Sequence, residues 1–191
     1  LAVPGAIRVF DACGYGPIIV ETVGVGQVEV DVAGTADTTV VVVTPGWGDA
    51  VQANKAGLLE VADVFVVNKA DRPGAEDARR DLNMMLDLSH ITGQQDETGY
   101  RPPIIMTNSL EGEGAQDVWD AVESHWAHLV QTGQLATRRR QRLAAEVRGR
   151  LVEMIAAEVE AKLASPEGER LMNDVADFTL APTQAARQLF S

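Results

Sequence analysis

The stretch V-F-V-V-N-K-A-D at residues 64–71 decides how this chain is read. Four apolar residues, three of them valine, give way at once to an amide, a cation and an acid. A short aliphatic run of this kind reads as a strand covered on both faces, because a half-exposed strand would alternate apolar with polar. Working outward, residues 18–20, 38–43 and 104–107 are similar runs. Segments 49–61 and 75–88 lie between them and read as helices, the latter with Ala78, Leu82 and Met85 on one face. The alternation predicts an α/β fold with a mostly parallel sheet and flanking crossover helices, in which 38–43 and 64–67 are central strands. Residues 28–32 alternate valine with acid and taken alone suggest a half-exposed strand.

After Gly114 the positions Ala115, Val118, Trp119, Val122, Trp126 and Leu129 recur at spacings of three and four, predicting a helix with a broad apolar stripe. His125 and His128 on that helix read as surface residues, since no third metal ligand lies near them. The composition shifts near Thr132. Beyond a Gly133 break, Arg138, Arg139, Arg140, Arg142, Arg148 and Arg150 are interleaved with Leu143, Val147, Leu151, Ile155, Val159 and Leu163, the pattern of a long amphipathic helix. Its arginines are expected to pair with nearby glutamates, and Pro166 and Gly168 to end it. One or two short helices are expected over 169–191. The domain boundary falls between 1–133 and 134–191, and the N-terminal residues enter a helix without a start signal.

Composition narrows the function. The 191 residues are 46% hydrophobic and 23% charged, enough for one globular core. Sixteen Lys and Arg against 28 Asp and Glu leave a net charge of -12, which repels a phosphate backbone and makes nucleic acid a poor partner. The run 40–43 is far short of the roughly 20 apolar residues needed to span a membrane. The single cysteine, Cys13, builds neither a disulfide framework nor a metal cage; it is expected in the core, and a reducing cytoplasm is the expected compartment.

Ligands bind open parallel sheets outside the carboxyl ends of the strands, and every chemically suggestive residue here follows a predicted strand. Asn68, Lys69, Ala70 and Asp71 match N-K-x-D, the guanine-reading motif of G proteins, against the plain reading of an incidental polar turn. The base offers two parallel N–H donors on one edge, which the Asp71 carboxylate can accept together. Adenine lacks that pair, and a ligand that leaves a committed acceptor unpaired is penalised. Asn108, Ser109 and Leu110 fit a backbone contact to the guanine carbonyl and closure over the base edge; an ordinary strand-to-helix turn is the alternative. Glu21 ends an aliphatic run where nucleotide hydrolases hold magnesium, and Gly24 allows a backbone N–H to approach the terminal phosphate. Gln27 is a candidate for orienting the attacking water, against the plain reading of an exposed loop glutamine.

Taken together, these motifs resemble the methylmalonyl-CoA mutase-associated G proteins of the MeaB or ArgK type, a branch of the P-loop GTPases. I-V-E-T-V-G-V-G-Q at 19–27 resembles the family's modified switch II, which carries Glu where most G proteins have Asp. P-G-W-G-D-A-V-Q-A-N-K-A-G at 45–57 is similar to its additional switch loop and following helix, and 64–71 to its base-recognition strand. The resemblance implies GTP or GDP with Mg as cofactors and a GTPase that escorts adenosylcobalamin into methylmalonyl-CoA mutase and protects the mutase from inactivation. It implies that Gly46, Asp49 and Lys55 respond to the mutase, that the C-terminal helices make a homodimer, and that 28–32 is loop and helix.

The family's G-x-x-x-x-G-K-[ST] loop is not among these residues, so an upstream segment carrying it is expected, and the chain as it stands is expected to be inactive in hydrolysis. The rival readings are a nucleotide-independent docking module for a metalloenzyme and a kinase or ATPase of basic amino-acid transport.

Overall fold

The computed structural model describes residues 2–22, 34–46, 61–91 and 99–190. Helix α1, Ala2–Ala12, is followed by β1, Val40–Val43; β2, Val64–Asn68; α2, Ala75–Ile91; β3, Ile104–Thr107; and α3, Ala115–Gln131. Three further helices complete the chain: α4, Gln134–Leu163; α5, Pro166–Ala176; and α6, Pro182–Phe190. Two compact units are resolved, Leu1–Arg139 and Arg140–Ser191. No helix among the described residues is long and apolar enough to cross a membrane.

In the first unit β2 pairs in parallel with β1 on one side and with β3 on the other. Register alternates the side chains between two faces. Val41 and Val43 align with Phe65 and Val67, and these with Ile104 and Met106. That face meets Ala75, Leu82 and Leu86 of α2 and is the main core, in which Phe65 and Val67 are fully buried. Helix α3 packs on β2 and β3, and Val64 and Val66, on the opposite face from Phe65, are also buried. An all-apolar β2 is thus explained by cover on both sides.

Several expectations are corrected. Residues 18–20 form no strand, and Ile19 is 83% exposed. A strand exists by virtue of its ladder, and none of the three described strands pairs with them. Residues 38–39 precede β1, which lies at the edge of the described sheet with Val42 54% exposed, rather than at its centre. Cys13 is exposed rather than core. On α3 the deepest residues are His125 and Leu129, whereas Trp119 and Trp126 stay on the flank. Pro166 and Gly168 do not end α4 but begin α5: Pro166 follows the Ser165 N-cap, whose Oγ accepts the Gly168 N–H at 3.1 Å. Residues 28–32 and most of 49–61 lie outside the described residues.

His125 is buried because it answers a polar need at the amino-terminal edge of the sheet. Asp63, one residue before β2, accepts the Thr39 N–H at 2.8 Å and Arg138 Nη1 at 3.0 Å. His125 Nδ1 bonds Thr38 Oγ1 at 2.9 Å, and its Nε2 lies 3.2 Å from Asp63 Oδ1 without hydrogen-bond alignment. Arg139 grips Asp37 with two nitrogens. These two arginines of the run, in the first turns of α4, therefore pair with distant aspartates rather than neighbouring glutamates. Tyr100 donates its hydroxyl to the Asp63 carbonyl at 3.2 Å and lays its ring against His125.

Burial and the adjacent Asp63 charge push the Tyr100 phenol up to about 12, against the opposing pull of Arg138. The folded pKa exceeds the unfolded value of 10.0, so the neutral phenol contributes stability that is whole below that pH and is lost as pH rises through about 12. The unfolding midpoint is expected to fall across that window, and Tyr100→Phe to flatten the decline. Denaturant melts at a series of alkaline pH values, with ultraviolet titration of tyrosinate, check both.

Candidate functional site

Parallel pairing puts the carboxyl ends of β1, β2 and β3 at one edge of the sheet. Three segments leave from there: Thr44, Pro45 and Gly46 after β1, Asn68 to Asp71 after β2, and Asn108 to Leu110 after β3. Pro45 approaches Gly74, where an added Cβ would lie 3.7 Å from the proline ring, so the first and second segments are close neighbours.

Asn68 joins the second segment to the third. It is the last residue of β2 and stands in register with Thr107. Its amide oxygen accepts the Lys69 N–H at 2.8 Å, the Ser109 N–H at 3.2 Å and the Thr107 hydroxyl at 3.3 Å. Three donors around one atom require it to be oxygen, which fixes the orientation of the amide. The Ala70 N–H donates to the Thr107 carbonyl at 2.9 Å, adding a backbone tie between the same segments. Lys69 occupies the left-handed region at φ 61, a conformation that a side-chain-bearing residue keeps only when its surroundings enforce it. Here the ties through Asn68 and Ala70 on either side enforce it. The turn leaves Lys69 and Asp71 exposed.

The third segment is closed by its own backbone. Asn108 and Glu113 exchange N–H···O bonds, both 3.1 Å, and Glu111 N–H donates to Asn108 O at 3.2 Å. Gly112 and Gly114 have positive φ. Gly114 has no substitute, because an added Cβ would sit 2.3 Å from the Met106 carbonyl oxygen. Leu110 is 90% exposed at the tip.

The structure therefore brings Asn68, Lys69, Ala70 and Asp71 together with Asn108, Ser109 and Leu110, and sets Gly46 at the same edge. It does not tie Glu21 to them: that side chain is exposed on the irregular segment after α1, apart from the hydrogen bonds just described. Gly24, Gln27, Asp49 and Lys55 lie outside the described residues. Among the described residues no group of three or more His, Cys, Asp or Glu is arranged to hold a metal. The sequence places Thr107 at the strand end with Asn108 to Leu110 but not against Asn68, and gives Gly114 only as the start of a helix. Thr107 looks like the last residue of an ordinary strand, and only register puts its hydroxyl on Asn68. The E-G-E-G run at 111–114 carried the signal for Gly114, since paired glycines before an apolar-periodic segment mark a tight helix entry.

Asn68→Ala removes one acceptor from three donors and is expected to cost about 1–3 kcal/mol. Faster amide exchange should be confined at first to Lys69 and Ser109, and hydrogen exchange with equilibrium denaturation measures both. Gly114→Ala is expected to destabilise by about 2 kcal/mol or more, since left-handed strain and a backbone clash act together.

With this geometry in hand, the chain can be compared with known proteins. A family model described as methylmalonyl Co-A mutase-associated GTPase MeaB matches residues 2–164. A Pyrococcus abyssi protein named as a GTPase is 44% identical over 181 residues, covering 95% of this chain and 55% of its own length. Escherichia coli GTPase ArgK is 34% identical over 131 residues, 69% of this chain and 39% of that protein. The mouse mitochondrial methylmalonic aciduria type A homolog is 34% identical over 134 residues, 70% of this chain and 32% of that protein. The crystal structure of an LAO/AO transport system kinase is similar with a TM-score of 0.67 at 27% identity, over 97% of this chain and 60% of that one. The chain spans 55% of the first of these relatives and smaller shares of the other two. A parallel α/β sheet bearing an N-K-x-D turn, matched over residues 2–164, makes this chain a member of the methylmalonyl-CoA mutase-associated GTPase family, MeaB type.

Proposed function

We propose that the full-length protein binds and hydrolyses GTP, and that the cycle gates delivery of adenosylcobalamin to a methylmalonyl-CoA mutase and protects that enzyme. The observation that carries the reading is the Asn68 amide oxygen, which holds the base-reading turn against the 107–109 turn so that the Asp71 carboxylate stands ready for a base edge. In this reading Asp71 accepts the two guanine N–H donors, the Lys69 stem covers the base, Ala70 holds the turn, and the backbone of Asn108, Ser109 and Leu110 receives the base carbonyl. Specificity follows because a base without the paired donors leaves the carboxylate unpaired.

Gly24 would approach the terminal phosphate and Gln27 the attacking water. Magnesium takes one or two carboxylates and otherwise water and phosphate oxygens, so one exposed carboxylate at Glu21 fits it and no larger ligand cluster is needed. The ion would supply charge neutralisation at the phosphates. The lysine-bearing glycine loop of the family is not in these 191 residues, and the activity proposed is that of the whole protein. Gly46, Asp49 and Lys55 are assigned to the switch that senses the mutase.

The same reading makes 1–133 part of a G domain and 134–191 a helical dimerisation region. Its support is the face of α4 along Leu143, Val147, Leu151 and Ile155, each more than half exposed. At 1.5 Å per residue a 30-residue helix runs about 45 Å, long enough for a second copy to bury that stripe.

Titration of the full-length protein with GDP, GTP and ATP in magnesium tests the nucleotide assignment. A guanine preference is expected, weakened about 100-fold or more by Asp71→Asn. Equal affinity for ATP and GTP would sink it. The dimer is tested separately by sedimentation, where Val147→Glu with Leu151→Glu is expected to give monomers that still bind GDP.

A further inference from the structure

The base-reading turn is held from a residue outside it. Thr107, the last residue of β3 and buried, directs both its hydroxyl and its carbonyl at that turn. The hydroxyl donates to Asn68 Oδ1 at 3.3 Å, and the carbonyl accepts the Ala70 N–H at 2.9 Å. These two bonds bracket Lys69, which keeps its left-handed φ of 61 between them. The Lys69 carbonyl in turn accepts the Arg72 N–H at 3.0 Å, closing residues 69–72 into a turn with Asp71 at its third place. Any movement of the Lys69 backbone therefore carries the Asp71 carboxylate with it.

The direction in which Thr107 faces is also set. A β-branched side chain has few χ1 choices, and here a neighbour selects among them. A Cβ at position 114 would stand 3.0 Å from Thr107 Cγ2, so Gly114 gives the methyl its space, and the hydroxyl is turned to Asn68. The sheet itself has no need of that hydroxyl. The other residues of β3, Ile104, Ile105 and Met106, are apolar, and valine at 107 would fill the same volume with no polar group to desolvate. Among the described residues the hydroxyl is used by the base-reading turn alone.

We infer that Thr107 is a positioning residue for guanine discrimination, acting through Asn68 and the Lys69 backbone to fix where Asp71 stands. The inference rests on the guanine reading given above and adds a determinant from outside the N-K-x-D sequence. A base edge with two donors requires both carboxylate oxygens in place, so displacement of Asp71 weakens guanine and leaves adenine, which has no such pair, unaffected.

The test measures GDP and ADP affinity calorimetrically in the full-length protein, with Thr107→Val, Thr107→Ser and each of these combined with Asp71→Asn. Valine keeps the shape and loses the donor; serine keeps the donor and loses the methyl. Thr107→Val is expected to weaken GDP about three- to tenfold with ADP unchanged, the scale of one hydrogen bond. Thr107→Ser should keep most of the GDP preference while melting earlier than Thr107→Val, so that the order of stability opposes the order of discrimination. With Asp71→Asn in place, Thr107→Val should weaken GDP no further. A Thr107→Val protein that keeps the parent's GDP-to-ADP ratio, that weakens both nucleotides equally, or that loses as much GDP affinity in the Asp71→Asn background would overturn the inference while the guanine reading stands. A parent that binds GDP and ADP alike would remove the guanine reading and this inference together.

Discussion

A parallel strand covered on both faces has nowhere to send its polar groups except out of its ends, and β2 is built around that constraint. Its apolar residues are sealed between α2 and α3, and polar side chains stand at each end: Asp63 just before it and Asn68 as its last residue. Asp63 gathers partners from beside β1 and from the helices, and Asn68 from the end of β3. Asp63 takes the Thr39 N–H ahead of β1 and Arg138 in α4, with the His125 imidazole alongside. Asn68 takes Thr107 and Ser109 at the end of β3. The sheet is thus stapled at both edges through the strand at its middle.

The two ends differ in chemistry, and the difference separates stability from function. At the amino-terminal edge the Asp63 carboxylate is buried and paired with a partly exposed Arg138, so losing the arginine strands a buried charge and is expensive. At the carboxyl-terminal edge the Asn68 amide oxygen and one backbone bond tie the segments together and leave the charged side chains of Lys69 and Asp71 exposed. One edge is satisfied internally. The other holds its backbone in place through Asn68 while Lys69 and Asp71 stay exposed.

Helices that look alike in sequence part company in the structure. Apolar residues recur at helical spacing on both α3 and α4, but only α3 has a sheet to cover, and it buries His125 and Leu129. Helix α4 has no buried residue at all, despite Leu143, Val147, Leu151 and Ile155 in one stripe. Periodicity reports that a face exists and not what covers it. The same limit hid His125, whose place inside depends on Asp63 and Thr38, distant by 62 and 87 residues in sequence.

The local facts were legible in the sequence alone: β2 and β3 from their aliphatic runs, α2 and α3 from spacing, the break at Gly133, and the place of N-K-x-D directly at the end of a strand. Each depends on residues adjacent in the chain, where propensity and period act. Tertiary structure decided what depends on partners far along it. It denied residues 18–20 a ladder among the described strands, set β1 at the described edge, and drew Arg138 and Arg139 to Asp63 and Asp37 instead of to neighbouring glutamates. It turned Pro166 from a terminator into the first residue of α5, because a proline that cannot continue one helix is well suited to begin the next once Ser165 caps it. The register of parallel strands, which no single segment encodes, is what put the Thr107 hydroxyl on Asn68 and so assembled the site.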